Sequence, residues 1–561
     1  MATFEFKQIS SLEKVRIADK PDFKEISAKT LLRGERFNYQ LPLFGDRMLE
    51  FRISVESNCA DWVKLYAVQN AVMDMPMYMS DAEEDYITRE PGLMPDILLP
   101  LQEQNYVVQT MKNRTNTVWV RIDVPEDAKP GTYTVTVKAT RITEEEMKSR
   151  GVDEAMKEET SKTMTLEVLP VTLPAQKLIF TQWFYADCIA VAHNVDIYSE
   201  KHWELIDKYM AMAADSGMNM LLLPVITPPL DTMYGVRRPC VQLVGIEKKG
   251  DTYSFDFTKL HRWIEMGKKN GMRYFEMCHM FSQWGMRCAP NILVKEDGQE
   301  SYLFGWHVAA DAPEYEAFLK QFLPAVVKEL EKAGVADHTY YHISDEPKEE
   351  NLETYERFSK LIKSLIGNGK RMDALSHFEF YEKGLVDVPV TTNSRIGPFL
   401  EKKLPEQWVY YCMSQRAKVS NRFLAMPAYR NRIMGLQMYR TNVKGFLHWA
   451  LNYYYSRCST YPINPYVTTS SDLTFPSGDA FSVYPGQDGP VLSMRALVLY
   501  DGLQDMRVCS LLESYIGREA VEKLIDTEAG MALTYEEYPR NADYILDLRQ
   551  KMTELIRQHL I

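Results

Sequence analysis

The residues most able to do chemistry stand in one string, Tyr340-Tyr341-His342-Ile343-Ser344-Asp345-Glu346-Pro347-Lys348, where an apolar run meets two neighbouring carboxylates and a proline. Adjacent acids at the end of a strand suit acid–base work: one can protonate a leaving oxygen while the other stabilises the positive charge growing at the carbon. Cleavage of a glycosidic bond needs that division of labour. The same residues also read as a helix start, with Ser344 or Asp345 as N-cap, Pro347 in the first turn and acids near the positive end of the dipole. The two readings are compatible, because a strand end leading into a helix is the geometry of a barrel loop.

The elements that must position this pair follow from the pattern of apolar residues. Short apolar runs at Leu178–Phe184, Met218–Val225, Met272–Cys278, Thr339–Ile343, Met372–Leu375, Val388–Thr392, Trp408–Met413 and Gly445–Leu451 predict eight strands. Segments of helical period lie between them at Glu200–Asp215, Phe257–Lys269, Ala312–Ala333 and Glu349–Ile366. This βα order predicts a (β/α)8 barrel over residues 174–492, whose catalytic groups would sit at the C-terminal strand ends. A doubly wound open sheet is the alternative, disfavoured because no Gly-rich phosphate loop follows a strand.

Ahead of the barrel, residues 1–173 carry period-two runs such as Asn116–Asp123 and Gly131–Lys138, with a Pro130-Gly131 turn between them. They predict an antiparallel β-sandwich. Glu144 to Lys162 reads as an exposed charged insertion before a last strand, Met164–Leu169, and Pro170 and Pro174 mark a stiff linker. Residues 493–561, including Arg518–Asp526 and Tyr544–His559, predict a helical extension packed on the barrel.

Other barrel strand ends offer candidates for a sugar-binding wall. Trp183, His279, Asn393, Tyr411 and Trp449 fall at or near them, and Trp306 and His307 lie in the long loop after the third strand. Each has a bland alternative as a core plug or a satisfied structural histidine. Trp449 could floor the sugar with its indole face. The loop Ser477-Gly478-Asp479 to Tyr484-Pro485-Gly486 could close over the sugar or merely seal the barrel. Cys278-His279 with Cys288 fits neither structural zinc nor HExxH, so neither metal nor organic cofactor is expected.

Composition excludes several classes. A net charge of -12 without a basic stripe argues against nucleic acid. No apolar stretch is long enough to span a membrane, and Met1 to Phe23 lacks the basic and apolar regions of a signal peptide. The expectation is a cytoplasmic protein, or a secreted one if a leader precedes the given sequence. The eight cysteines form no CxxC pair and are expected as free thiols.

Four blocks, Tyr341–Pro347, Gly445–Asn452, the Ser477–Gly486 loop, and Ser493-Met494-Arg495 with Asp501-Gly502-Leu503-Gln504-Asp505, resemble in order and spacing glycoside hydrolase family 123 and the wider domain family of its barrel. The resemblance covers the barrel and its extension. It implies an exo-acting β-N-acetylgalactosaminidase acting on glycans or glycolipids that end in β-linked N-acetylgalactosamine (GalNAc). It further implies a retaining, substrate-assisted mechanism in which Asp345 orients the 2-acetamido group and stabilises its oxazolinium-like form. Glu346 would be the general acid and then the base. The residues themselves leave open a β-N-acetylglucosaminidase on the same barrel, and a non-catalytic glycan-binding protein. The repulsion between two side-by-side acids disfavours the binder.

Overall fold

Alternating side chains build the first domain. In the strand Gly131–Ile142, Val135, Val137 and Ala139 are wholly buried while their neighbours are partly exposed. This strand pairs antiparallel with Leu49–Ser57 on one side and Glu159–Thr172 on the other. Ala28–Arg33 and Val107–Thr110 complete a five-stranded sheet, in which Ala28–Arg33 is the one parallel partner. A second sheet, centred on Arg36–Gly45, Arg114–Asp123, Val63–Met73 and Gly92–Pro100, packs against it. The chain is described here from a computed structural model over residues 4–20, 22–80, 85–142 and 159–560. Of the charged insertion, residues 144–158 lie outside the described residues. Glu159 to Lys162 belong instead to the strand Glu159–Thr172. Pro170 lies inside that strand, exposed at the register shift between Val168 and Thr172, where a missing N–H is tolerated.

The barrel strands are β1 (Ile179–Gln182), β2 (Met220–Leu223), β3 (Tyr274–Met277), β4 (Thr339–Tyr341), β5 (Lys370–Ala374), β6 (Val388–Thr392), β7 (Trp408–Tyr410) and β8 (Gly445–His448). All pair in parallel, β1 with β8 and then down the series to β2. The seam between β1 and β2 is stitched by Asn219, whose N–H donates to Phe180 O at 3.1 Å and whose Oδ1 accepts from Phe180 N at 2.8 Å. All but β6 stop short of their apolar runs at the C-terminal end, because the last residues leave the ladder to shape the mouth. The helices around the barrel include Glu200–Asp215, capped by Ser199, and Pro313–Lys332, with proline in its first turn.

Two features were not legible beforehand. The loops after β2 and β3 each carry a hairpin, and Gly245–Lys249, Thr252–Asp256, Ile292–Glu296 and Gln299–Phe304 join in one four-stranded sheet. In addition, Pro490–Ser493 extends a sandwich sheet by pairing with Gly92–Pro100. The helices Met494–Ile516, Arg518–Ala529 and Ala542–Gln558 follow. Salt bridges Arg432–Asp505 and Arg549–Glu35 join them to barrel and sandwich. No helix among the described residues is long and apolar enough to cross a membrane.

Candidate active site

Strand β4 delivers His342, Ile343, Ser344, Asp345 and Glu346 to the barrel mouth, and the neighbouring strand fixes them there. Asp373 of β5 is buried and accepts from the N–H groups of Ile343 and Ser344, from Tyr355 Oη at 2.6 Å and from His342 Nδ1 at 3.1 Å. Glu346 N donates to Ala374 O at 3.2 Å. The helix-start reading gives way here. Glu346 has φ +46° immediately before a proline, a left-handed conformation costly to any residue that carries a Cβ, and the helix begins only at Leu352 after a short turn. Ser344 Oγ donates to Ser282 O rather than capping. Strain of this kind is retained where surroundings over-determine it, as at active sites.

Buried charge lies behind the pair. His342 Nε2 faces Glu276 Oε2 at 3.0 Å, so its ring bridges two buried carboxylates, Glu276 and Asp373. Burial alone would push the imidazole down, but these two hydrogen bonds and the charges behind them raise it to about 9. The Asp345 carboxyl is held well above its ordinary range by burial first, then by the charges of Glu346, Asp373 and Asp231, against the pull of His342. Tyr410 Oη donates to Glu346 Oε1 at 2.6 Å. Its phenol is kept protonated by burial and by the Glu346 charge.

These groups open on a cavity of about 450 Å³. Trp183 and Trp449 line it together with Asp345 and Glu346. Trp183 is buried, its Nε1 donating to Glu276 Oε2 at 3.3 Å. Trp449 Nε1 donates to Asp479 Oδ2 at 2.9 Å, and its ring contacts Tyr453 and Phe475. Burial raises Asp479 to about 7 despite that bond.

The other expected wall residues do not line the cavity. His279 stacks on His342 at 4.2 Å beneath the mouth. Asn393 is buried and spends its Nδ2 on Ser420 O. Tyr411 packs on Phe446 and His448, because alternation along β7 turns Tyr410 toward the site and its neighbour away. Trp306 donates to Val236 O within the hairpin loops, and His307 beside it is exposed. The loop that could have closed over the sugar is anchored instead: Tyr484 Oη donates to Asp96, which also takes Arg495 at 2.9 Å.

His279, His342 and Asp373 bring potential metal-ligand atoms within 4.8 Å of one another. The imidazole planes stack at 21°, so their in-plane nitrogens do not converge, and both nitrogens of His342 already serve Asp373 and Glu276. Cys278 and Cys288 point their thiols at backbone carbonyls of Ile226 and Trp306.

Several residues of the site escaped the sequence reading. Tyr410, Asp231 and Trp284 line the cavity from strand ends and loops without a local motif. Tyr78 reaches it from the sandwich, its hydroxyl bonded to Thr474 O at 2.8 Å and its ring under the Arg416 guanidinium at 4.7 Å. That segment is held by Asp74, whose carboxylate accepts from Thr468, Thr469, Ser470 and Ser477.

Residues 183–512 match the glycoside hydrolase 123 catalytic domain and residues 26–141 the glycoside hydrolase 123 N-terminal domain. A solved family 123 glycoside hydrolase from Clostridium perfringens, described for glycolipid glycan hydrolysis, superposes with a TM-score of 0.73 at 16% identity, covering 99% of each chain. At that identity the likeness bears on the fold. A family 2 glycosyl hydrolase from Bacteroides cellulosilyticus gives 0.28 at 11% identity, over 75% of this chain and 42% of that one. A family 5 mannosidase from Rhizomucor miehei gives 0.33 at 12% identity, over 61% and 95%. No curated protein sequence matches the chain.

Proposed function

The chain belongs to glycoside hydrolase family 123, and from that premise we propose that it is a retaining exo-β-N-acetylgalactosaminidase. Its substrate would be a glycan, including the head of a glycolipid, that ends in β-linked GalNAc. The observation that carries this reading is the placement of Asp345 and Glu346 as consecutive residues on one wall of the cavity. A double displacement asks for a nucleophile on the far side of the anomeric carbon from the acid. Two acids on one strand end fit a different division of labour, in which the substrate's own acetamide oxygen attacks and the protein supplies one orienter and one proton carrier.

In this scheme Asp345 accepts the acetamide N–H and balances the oxazolinium charge. Glu346, oriented by Tyr410, protonates the departing oxygen and later takes a proton from the water that opens the ring. Trp183 and Trp449 enclose the sugar and hold it against the two acids. Burial and the Glu346 charge favour the neutral form of the Asp345 carboxyl, so this role asks the acetamide N–H and the growing positive charge to bring it to the carboxylate.

The test is a panel of nitrophenyl β-glycosides of GalNAc, N-acetylglucosamine and galactose, with the first product anomer read by NMR. Hydrolysis of the GalNAc substrate, with β-anomer formed first, is expected. Comparable release from the galactoside, which lacks the acetamide, would overturn the mechanism. Preference for N-acetylglucosamine would move the specificity while leaving the chemistry.

A further inference from the structure

We infer that Trp284 forms the platform for the sugar that leaves, a subsite just outside the one that holds the terminal GalNAc. This rests on the reading above, since it presumes an exo-acting hydrolase.

Trp284 lines the same cavity as Asp345 and Glu346, yet it is 47% exposed, unlike the buried Trp183 on the floor. A large indole left in water next to a catalytic pair calls for a reason. The backbone sharpens the question. Trp284 has φ +55°, Gly285 +127° and Met286 +52°, so three successive residues adopt conformations that L side chains rarely take.

The loop is nevertheless tightly made. Ser282 Oγ accepts from Arg287 N and Cys288 N at 3.1 Å, and Met286 N donates to Ser282 O at 3.2 Å. Phe281 N donates to Ile343 O at 3.2 Å, and Trp284 N donates to Asp345 O at 3.1 Å. Gln283 Oε1 accepts from the N–H of Asp231, another cavity residue. The fold therefore spends backbone strain to hold one exposed ring at a fixed position beside the catalytic aspartate.

The chemistry of an exo-hydrolase says what that ring would meet. The terminal sugar occupies the enclosed floor near Trp183 and Trp449, and the bond to be cut points toward the opening. The next pyranose must then lie at the lip, where Trp284 stands with the exposed Ser414 and Arg457. A flat indole presents an apolar surface to the C–H face of a pyranose, and polar neighbours can serve its hydroxyls. The loop's bond to Asp345 ties the platform to the reacting centre.

The experiment compares Trp284→Ala and Trp284→Phe with wild type on two substrates, a disaccharide of GalNAc β-linked to galactose and GalNAc β-fluoride. The fluoride has no second sugar. For Trp284→Ala, kcat/KM on the disaccharide should fall about five- to tenfold more than on the fluoride, and Trp284→Phe should recover most of that difference. Equal losses on both substrates would show that the loop serves only to hold Asp345, and an undiminished disaccharide rate would remove the platform. Either result leaves the proposed activity intact. Wild type that cleaves neither substrate would remove that activity, and the platform with it.

Discussion

The phenol of Tyr410 donates to Glu346 Oε1 at 2.6 Å, and the same tyrosine is buried at the end of β7. A hydrogen bond to a carboxylate is worth about 1.5–3 kcal/mol, enough to hold one orientation of a long, flexible acid. Tyr410→Phe should therefore lower kcat by about ten- to a hundredfold with little change in KM, because the ring still fills its place. Steady-state kinetics beside a thermal melt separates this from unfolding. An unchanged kcat would make Tyr410 a wall residue only.

Glu346→Gln would remove the proton donor proposed for the reaction but keep the shape of the side chain. Substrates with poor leaving groups should lose about 10²–10⁴ in rate, whereas activated aryl glycosides, which need little protonation on departure, should lose much less in the first step. Equal loss on both classes would count against the acid role. Full activity would overturn the site.

His342 provides a pH dependence of stability. Its imidazole stands at about 9 in the fold against an ordinary value of 6.5, because Glu276 and Asp373 hold its charged form. Below about pH 6.5 both folded and unfolded states bind the proton and the full contribution is present. Between that value and 9 the unfolded chain releases its proton while the native chain keeps it, so stability falls as pH rises, by on the order of 3 kcal/mol in all. Chemical denaturation at pH 6, 7.5 and 9 should show this decline, and His342→Gln should flatten it. A slope unchanged by the substitution would assign the effect elsewhere.

What the sequence revealed, and what it hid, follows from the range of the interactions. The eight strands were legible because parallel strands buried on both faces are continuous apolar runs, as in Met220–Leu223. Asp345 and Glu346 were legible because a strand running into paired acids is a local pattern. Tyr410 against Tyr411 was not, since one residue of register on β7 decides which ring meets the site. Asp74 and Tyr78 were invisible for another reason. They act across a sequence separation of roughly four hundred residues, where no local periodicity can point.

Asp74 is the means by which the sandwich supports the mouth of the barrel. Its carboxylate accepts from Thr468 Oγ1 at 2.5 Å, Thr469 N at 3.1 Å, Ser470 Oγ at 2.6 Å and Ser477 Oγ at 3.1 Å. Asp74→Ala leaves these donors without their acceptor, each part-buried, at a cost of about 1–3 kcal/mol for the group. The strand of contacts from Thr474 to Tyr78 would loosen with them. A raised KM and a melting point lowered by a few degrees are expected. Wild-type KM in the variant would separate the sandwich from substrate binding.

The task proposed for Asp345 exists only when the substrate carries an acetamide. In the proposed scheme the carboxylate accepts the amide N–H and balances the charge that grows as the carbonyl oxygen attacks the anomeric carbon. Asp345→Asn keeps size and some hydrogen bonding but cannot balance that charge, so kcat should fall by about 10²–10³, as when one preorganised partner of a transition state is removed. In wild type, replacing the acetamide by a trifluoroacetamide should slow the reaction steeply, because fluorine withdraws electron density from the attacking oxygen. An enzyme nucleophile would be far less sensitive to that change. If rates were indifferent to fluorination and a labelled sugar could be trapped on Asp345, the attack would have to be reassigned to that carboxylate in a double displacement.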